Sequence, residues 1–149
     1  MKTANHSKPK IFEFDPVISP VGSGLHYRVV EDFLFQYGGE IITVPKGFQS
    51  DWASVPRLFW RLVPPHQYPR SSLGHDWLYA AEYFPRKKCD LFFFDALKEE
   101  GACWLRRWAM YRAVRLGGGV VWNRHDIMAV DQLRQMAGLP LLKKHEIEI

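Results

Sequence analysis

Side chains capable of acid–base chemistry or metal binding are concentrated in one aromatic-rich stretch, residues 44–90. They are Asp51, His75, Asp76, Tyr79 and Asp90. The sequence around them, as in FQSDWASVPRLFW and GHDWLYAAEYF, is of a kind that normally builds a core. Burying a polar group without a partner costs free energy. The stretch is therefore either a functional site or a buried network of hydrogen bonds.

The spacing of three of these residues predicts an acid–base group. His75 and Tyr79 are four residues apart, so they share a face if they lie on a helix. Pro85 breaks that helix, and two antiparallel helices joined there would place Asp90 beside His75. A carboxylate next to an imidazole fixes its tautomer and raises its basicity. We therefore expect His75 to be a general base oriented by Asp90 and Tyr79, or a metal ligand backed by a carboxylate.

The other two acids suggest a metal site. Asp51 follows a predicted hairpin, and Asp76 points about 100° away from His75 around the helix. Their carboxylates are suitable ligands for Ca²⁺ or Mg²⁺. If His75 joins them, Zn²⁺ also becomes a candidate. The cofactor is thus unknown, with Ca, Mg and Zn left open.

A purely structural interpretation fits the same residues. Asp51 would cap a short turn directly after it. His75, Tyr79 and Asp90 would form a satisfied buried network that locks two helices together, and Arg57 or Arg86 would neutralise one of the acids. Spacing alone favours this interpretation, since His-Asp dipeptides are common.

Composition indicates a single globular domain spanning residues 1–149. The chain is 47% hydrophobic with a net charge of +4, enough apolar sequence to bury a core. Residues 1–10 are predicted to be flexible and residues 141–149 to form a tail. Cys89 and Cys103 are too few for a disulfide framework and are predicted to be reduced core thiols. Neither a signal peptide nor a transmembrane segment is predicted.

The order of elements predicts an α+β fold. A weak edge strand at 11–14 is followed by turns at Asp15-Pro16 and Ser19-Pro20. The β-prone runs 27–37 and 40–45 flank Gly38-Gly39, which indicates an N-terminal antiparallel hairpin or small sheet. It should pack on a C-terminal bundle of three to four helices. Helices are predicted at residues 71–83, 86–100, 104–116 and 124–137, with Ser54 capping one further short turn.

Two features of the third helix receive structural interpretations. Gly117-Gly118-Gly119 lacks the Lys-Ser/Thr of a phosphate loop and is predicted to end the helix. The helix also carries a group of arginines, which favours an ordinary solvated face over a phosphate-binding one. These are Arg106, Arg107, Arg112 and Arg115. Nucleic acid is therefore disfavoured as a partner.

An ordered run of motifs resembles a known family. VPKGFQSDWASVPRLFW, GHDWLYAAEY, RKKCDLFFFDAL and WAMYRAVRLGG are similar to the bacteriophage and prophage family called domain of unknown function 1353. The family pattern is VPxGFxTDxASVPR, then HDxLY, then RxxAD leading into a helix. The resemblance covers about residues 25–120, and departs from the pattern at Ser50, where Thr is usual, and Cys89, where Ala is usual. It implies a phage or prophage origin without implying a reaction.

A shorter stretch, about residues 71–97, resembles the active-site helices of secreted phospholipases of the A-two type. That resemblance implies that His75 activates water, that Asp76 holds Ca²⁺ and that Asp90 with Tyr79 orients the site. The Gly-rich calcium loop and the disulfides of those enzymes have no counterpart in this sequence.

Taken together, these patterns predict a phage-encoded, virion-associated protein, a tail or baseplate component with a buried Asp/His constellation. The alternative is a metal-assisted hydrolase acting on lipid or cell-wall ester or amide bonds, with His75 as base. Other phage structural proteins are the expected partners, and self-association is left open. The expected location is the virion, after synthesis in the host cytoplasm.

Overall fold

The computed structural model describes residues 10–23, 26–51, 57–61 and 64–142. Strands come first and helices follow, which confirms the predicted α+β class. The strands are β1 (Ile18–Val21), β2 (His26–Val29), β3 (Phe33–Tyr37), β4 (Glu40–Val44) and β5 (Gln49–Ser50). The α-helices are α1 (Pro69–Ala80), α2 (Arg86–Glu99), α3 (Trp104–Asn123) and α4 (Ile127–Met136). Short 3₁₀ helices span Arg57–Arg61 and Pro65–Gln67.

The predicted hairpin is confirmed. Strands β3 and β4 pair antiparallel and are joined by Gly38 and Gly39, whose φ values are 62° and 82°. Two successive residues with positive φ make the tight turn that matches the natural twist of paired strands. One face of the hairpin is buried against the helices. Its core residues are Phe33, Phe35, Ile42 and Val44.

The second sheet corrects two predictions. Its order is β1-β2-β5, with antiparallel pairing throughout. Ser19 and Pro20, predicted as a turn, lie inside β1, where Pro20 is tolerated because β1 is an edge strand. Residues 11–14, predicted as a strand, form none. Only Ile11 bonds to the hairpin, its carbonyl accepting the Gln36 N–H at 2.9 Å.

Helices α1 and α2 form the layer that carries the candidate site. The face of α2 that meets the hairpin is aromatic, and the rings of Phe35 and Phe92 lie 4.9 Å apart. Gly74 lets α1 approach this cluster, because a Cβ there would lie 2.7 Å from the Phe92 ring. The close approach of α1 to α2 fixes the positions of the polar residues between them.

The helix boundaries differ most from prediction at the glycine triplet. Helix α3 continues through residues 117–119 instead of ending there. A Cβ on Gly118 would lie 2.6 Å from the Tyr79 hydroxyl oxygen, so this glycine permits close packing. The next helix starts at Ile127 instead of the predicted residue 124, and its cap is Asp126, which accepts the Met128 N–H at 3.2 Å. Helix α1 begins at Pro69, two residues before the predicted start at residue 71.

The cysteines are both free, as predicted, but only one is in the core. Cys89 is buried, and burial raises the pKa of its thiol to about 12. Cys103 is exposed at the start of α3, so the prediction of a core thiol is wrong there. Within the described part of the chain, none of the helices is both long and apolar enough to cross a bilayer.

Candidate functional site

The turn between α1 and α2 brings Asp90 back alongside His75. The Nε2 atom of His75 lies 3.1 Å from Oδ1 of Asp90, and the Tyr79 hydroxyl donates to the same oxygen at 2.6 Å. His75 and Asp90 have no solvent-exposed surface. Three of the predicted site residues therefore meet inside the protein, between two antiparallel helices.

Two arginines complete this group, which we call the Asp90 cluster: His75, Tyr79, Arg86, Asp90 and Arg115. Arg115 of α3 donates to the second oxygen, Oδ2 of Asp90, at 2.7 Å. The Nη1 atom of Arg86 lies 3.8 Å from that oxygen and also donates to the Arg115 carbonyl at 3.3 Å. A buried carboxylate requires such partners, because an unpaired charge in the interior is very costly.

The arginines of α3 are therefore more than a solvated face. Besides Arg115, the side chain of Arg107 donates to the Phe94 carbonyl at 3.2 Å, and Arg106 donates to the Tyr68 hydroxyl at 3.1 Å. These bonds tie α3 to the elements before it. The sequence prediction missed them because the partners lie far away along the chain.

The protonation states within the cluster follow from burial and hydrogen bonding. Burial acts to raise the pKa of Asp90, but hydrogen bonds from His75, Tyr79 and Arg115 outweigh it and lower the pKa. Burial lowers the pKa of His75, and Asp90 opposes this only in part. Asp90 is thus ionised and His75 neutral. The Nδ1 atom of His75 has no partner among the described residues, which fits the tautomer with its proton on Nε2.

The next residue along α1, Asp76, faces an open cleft of about 420 Å³ between β5, α1 and the α3–α4 corner. We call it the Asp76 cleft. The Ser50 hydroxyl donates to Oδ2 of Asp76, and Asp51 is exposed at the rim. Polar lining residues are Gln49, Ser50, Asp51, Asp76, Tyr79 and His125. Both predicted metal ligands thus line a single cleft.

His125 is a lining residue that the sequence prediction missed. Its Nδ1 atom lies 3.3 Å from Oε1 of Glu82, which follows the C-terminal end of α1 and has a left-handed conformation with φ of 42°. A non-glycine residue pays about 1–2 kcal/mol for that conformation. No sequence signal links the two residues, because 43 positions separate them.

The predicted residues thus divide into two groups. His75 and Asp90 belong to the Asp90 cluster, Asp51 and Asp76 to the Asp76 cleft, and Tyr79 touches both. His75 is not among the cleft-lining residues. Among the described residues, no group of three or more His, Cys, Asp or Glu side chains is arranged to hold a metal. The catalytic and metal-binding roles remain predictions. The turn that Asp51 was predicted to cap, and the Ser54 cap, lie outside the described residues.

A larger groove of about 1040 Å³ lies between the hairpin end and α2. Its charged lining side chains have mixed signs, including Glu40, Lys88, Asp95, Lys98 and Arg107. None of the five predicted site residues lines it. The Asp90 cluster and the Asp76 cleft are therefore the two places where the predicted chemistry is located.

Fold and site together define a small α+β protein whose helical layer encloses an ionised carboxylate beside an acidic cleft. Residues 27–114 match the family described as a protein of unknown function (DUF1353). The match spans more than half of the chain, so the chain belongs to that family, as its motifs predicted. Neither the curated proteins nor the solved structures contain a match. The likeness to phospholipases remains a prediction.

Proposed function

We propose that this chain is a virion-associated structural protein of a phage or prophage, a component of the tail or baseplate. The observation that carries the proposal is the closure of the Asp90 cluster. Both carboxylate oxygens of Asp90 accept hydrogen bonds from protein donors, and His75 has no exposed surface. A general base must come within hydrogen-bond reach of the proton that it removes. Closure therefore favours a structural role for this group.

An exposed apolar surface on α3 supports the same proposal. Trp104 and Trp108 stack with ring centroids 6.4 Å apart, and both are exposed. Leu105, Leu116 and Val120 of the same helix are also exposed. Concentrated apolar side chains on a surface are typical of sites that bind another protein. In a particle, that neighbour would be another phage structural protein.

The phage assignment rests on the ordered motifs between residues 44 and 118, within a resemblance that covers about residues 25–120. The family description itself names no activity, so the particle role is inferred from this resemblance and from the closed cluster.

The decisive experiment is to look for the protein in purified particles. Phage induced from the host strain that encodes the chain is purified by density gradient, and the chain is quantified by mass spectrometry against a major structural protein. We expect a fixed ratio across the particle fractions, which survives a salt wash. If the chain stays in the soluble lysate and is absent from particles, the proposal is wrong.

A metal-assisted hydrolase is the second candidate, and the Asp76 cleft favours it. The cleft is open and carries Asp51 and Asp76, whose carboxylates are of the type that binds hard cations. The imidazole that faces this cleft is His125, paired with Glu82, whereas the predicted base His75 is buried. In this candidate, His125 would move protons and the two acids would hold the cation.

Metal content separates the two candidates. We would measure bound Ca, Mg and Zn by elemental mass spectrometry in the wild type, in Asp76→Asn and in the control Asp126→Asn. Asp126 is exposed and caps α4, a role that Asn also fills. About one equivalent of metal, lost only in Asp76→Asn, would favour the hydrolase. Absence of bound metal after incubation with excess cation favours the structural proposal.

A further inference from the structure

The outer edge of β4 presents unpaired backbone groups to solvent. Because the turn has two residues, Tyr37 and Glu40 form the first pair whose backbone groups hydrogen-bond to each other. Hydrogen-bonded and non-hydrogen-bonded pairs then alternate along the hairpin. In agreement, the Gln36 N–H leaves the hairpin to bond Ile11. Its partner in register is Ile41. Consequently the N–H and C=O groups of Ile41 and Thr43 point away from β3. In the described part of the chain, no backbone hydrogen bond joins them to another element.

The other strand edges of the structure are blocked or short. Val17 and Val30 form a hydrogen-bonded pair, since the Val30 N–H donates to the Val17 carbonyl. Bonded and non-bonded pairs alternate, so Pro20 and Tyr27 form a non-bonded pair. The N–H that Pro20 lacks would therefore have pointed to the outer edge of β1. The outer edge of β3 is partly occupied by Ile11, and β5 has two residues. Proteins generally protect exposed edges with proline, charge or short length. In contrast, β4 has five residues, EIITV, without an internal charge or proline.

We infer that a second copy of this chain pairs antiparallel with the outer edge of β4. The pairing has a twofold axis at Ile42, which places Ile41 of one copy opposite Thr43 of the other. Because both residues direct their N–H and C=O groups outward, each such pair would exchange both of its hydrogen bonds. The two hairpins would then form one continuous sheet, and the dimer would be closed.

Charge and shape at the edge favour this partner and this direction. Glu40 stands at one end of β4 and Lys46 just beyond the other, and both are exposed. An antiparallel copy places Glu40 of one copy and Lys46 of the other at the same end of the paired strands, whereas a parallel copy in register would place like charges side by side. On the solvent face, Ile41 is 65% exposed and would lie against Thr43 of the second copy. β-Branched cross-strand neighbours stabilise a sheet.

The register is tested by disulfide trapping in a Cys103→Ser background, which removes the exposed native thiol. Ile41→Cys and Thr43→Cys variants are mixed and oxidised mildly. Directly opposite residues approach closely enough for a disulfide, whereas Ile41 and its own copy are diagonal neighbours and lie too far apart. We expect the mixed disulfide to exceed either homodimer severalfold. Random pairing alone gives twice as much mixed disulfide as either homodimer, so that ratio, a smaller one, or no product would overturn the inference.

The edge is tested separately by sedimentation over a range of protein concentrations. Thr43→Pro removes an outward N–H, so we expect the concentration-dependent dimer to be lost, with a melting temperature equal to that of the wild type at concentrations where both proteins are monomers. The matched control is Leu34→Lys, which alters the same solvent face of the sheet but lies on β3. It should dimerise as the wild type does. A wild type that stays monomeric throughout, or a dimer that Leu34→Lys abolishes, contradicts edge pairing.

Discussion

The Asp90 cluster and the Asp76 cleft are built from neighbouring residues of α1, yet their surroundings differ completely. His75 turns inward to a carboxylate that two arginines, Arg86 and Arg115, neutralise. Asp76, one position later, turns to the open cleft shared with Ser50 and Asp51. A single His-Asp dipeptide thus contributes to both the closed cluster and the open cleft, because successive helix positions differ by about 100°.

Residues of one sequence motif need not belong to one functional site in the fold. Residues of one motif, such as HDWLY, look like one catalytic group in the sequence. In the fold, His75 lies in a closed cluster that contributes to stability. Asp76 instead lines an open cleft that a ligand could reach. Tyr79 is the residue that touches both regions. Substitutions in each region test this division between a closed cluster and an open cleft.

Asp90→Ala should have the largest effect on stability. It leaves His75, Tyr79 and Arg115 without their acceptor in a buried position, and breaking a buried ion pair costs about 3–5 kcal/mol. The unfolding free energy from denaturant titration measures this loss. Asp51→Ala at the exposed rim of the cleft is the control, with an expected change within about 1 kcal/mol. Equal losses in both variants would contradict the division between the regions.

His75→Ala should destabilise the protein by about 2–4 kcal/mol, since it removes a hydrogen bond and a buried ring. The ring of His75 stacks on Phe93 at 4.7 Å and lies 4.4 Å from the Tyr79 ring. Thermal unfolding gives the readout. An unchanged or higher melting temperature would indicate a strained functional residue and count against a structural role.

The glycines of α3 offer a paired test of how tightly the cluster is packed. Gly118→Ala would drive a Cβ into Tyr79, and overpacking typically costs about 1–3 kcal/mol. At Gly119 the nearest atoms to a new Cβ belong to Arg86, at an ordinary 3.9 Å. Gly119→Ala should therefore stabilise the helix by about 0.5–1 kcal/mol. Denaturant unfolding of both variants should show changes of opposite sign.

The pH dependence of stability should be the mildest effect. Because burial lowers the pKa of His75, the unfolded chain binds more protons than the folded one below the ordinary histidine pKa of about 6.5. The unfolding free energy should therefore fall as the pH drops below that value. Asp90, whose pKa is lowered, adds a further loss only in stronger acid.

The pH effect is assigned by comparing wild type with His75→Gln at about pH 7.5 and about pH 5.5, on either side of the histidine pKa. We expect a smaller difference between the two conditions in the variant. The two proteins differ only at position 75, so a difference between their pH profiles belongs to His75. An identical pH dependence would mean that His75 does not titrate as described.

The parts of this structure that local chemistry dictates could be predicted from sequence. Gly38-Gly39 identified the hairpin, since both positions need positive φ. The break at Pro85 and the helical spacing of His75 and Tyr79 were enough to suggest that Asp90 returns to them. The arrangement of elements therefore followed from periodicity and turn residues.

Features that depend on distant partners could not be predicted. Gly118 looked like a helix terminator because its contact with Tyr79 exists only in the folded chain. Arg115 looked solvated for the same reason, since its acceptor lies on α2. Pro20 reads as a strand breaker unless the edge position of β1 is known. In each case tertiary packing overrode a correct local preference.

The bonds from Glu99 to the N–H groups of Ile11 and Phe12, at 2.7 and 2.8 Å, have a consequence for the order of folding. They close a loop of 88 residues, and contacts of such high sequence separation form late. During synthesis on a ribosome, Ile11 and Phe12 could not form these hydrogen bonds until Glu99, at the end of α2, has been synthesised. The outer edge of β3 would stay open during that interval, so the nascent chain is more prone to aggregation until α2 is available for this contact.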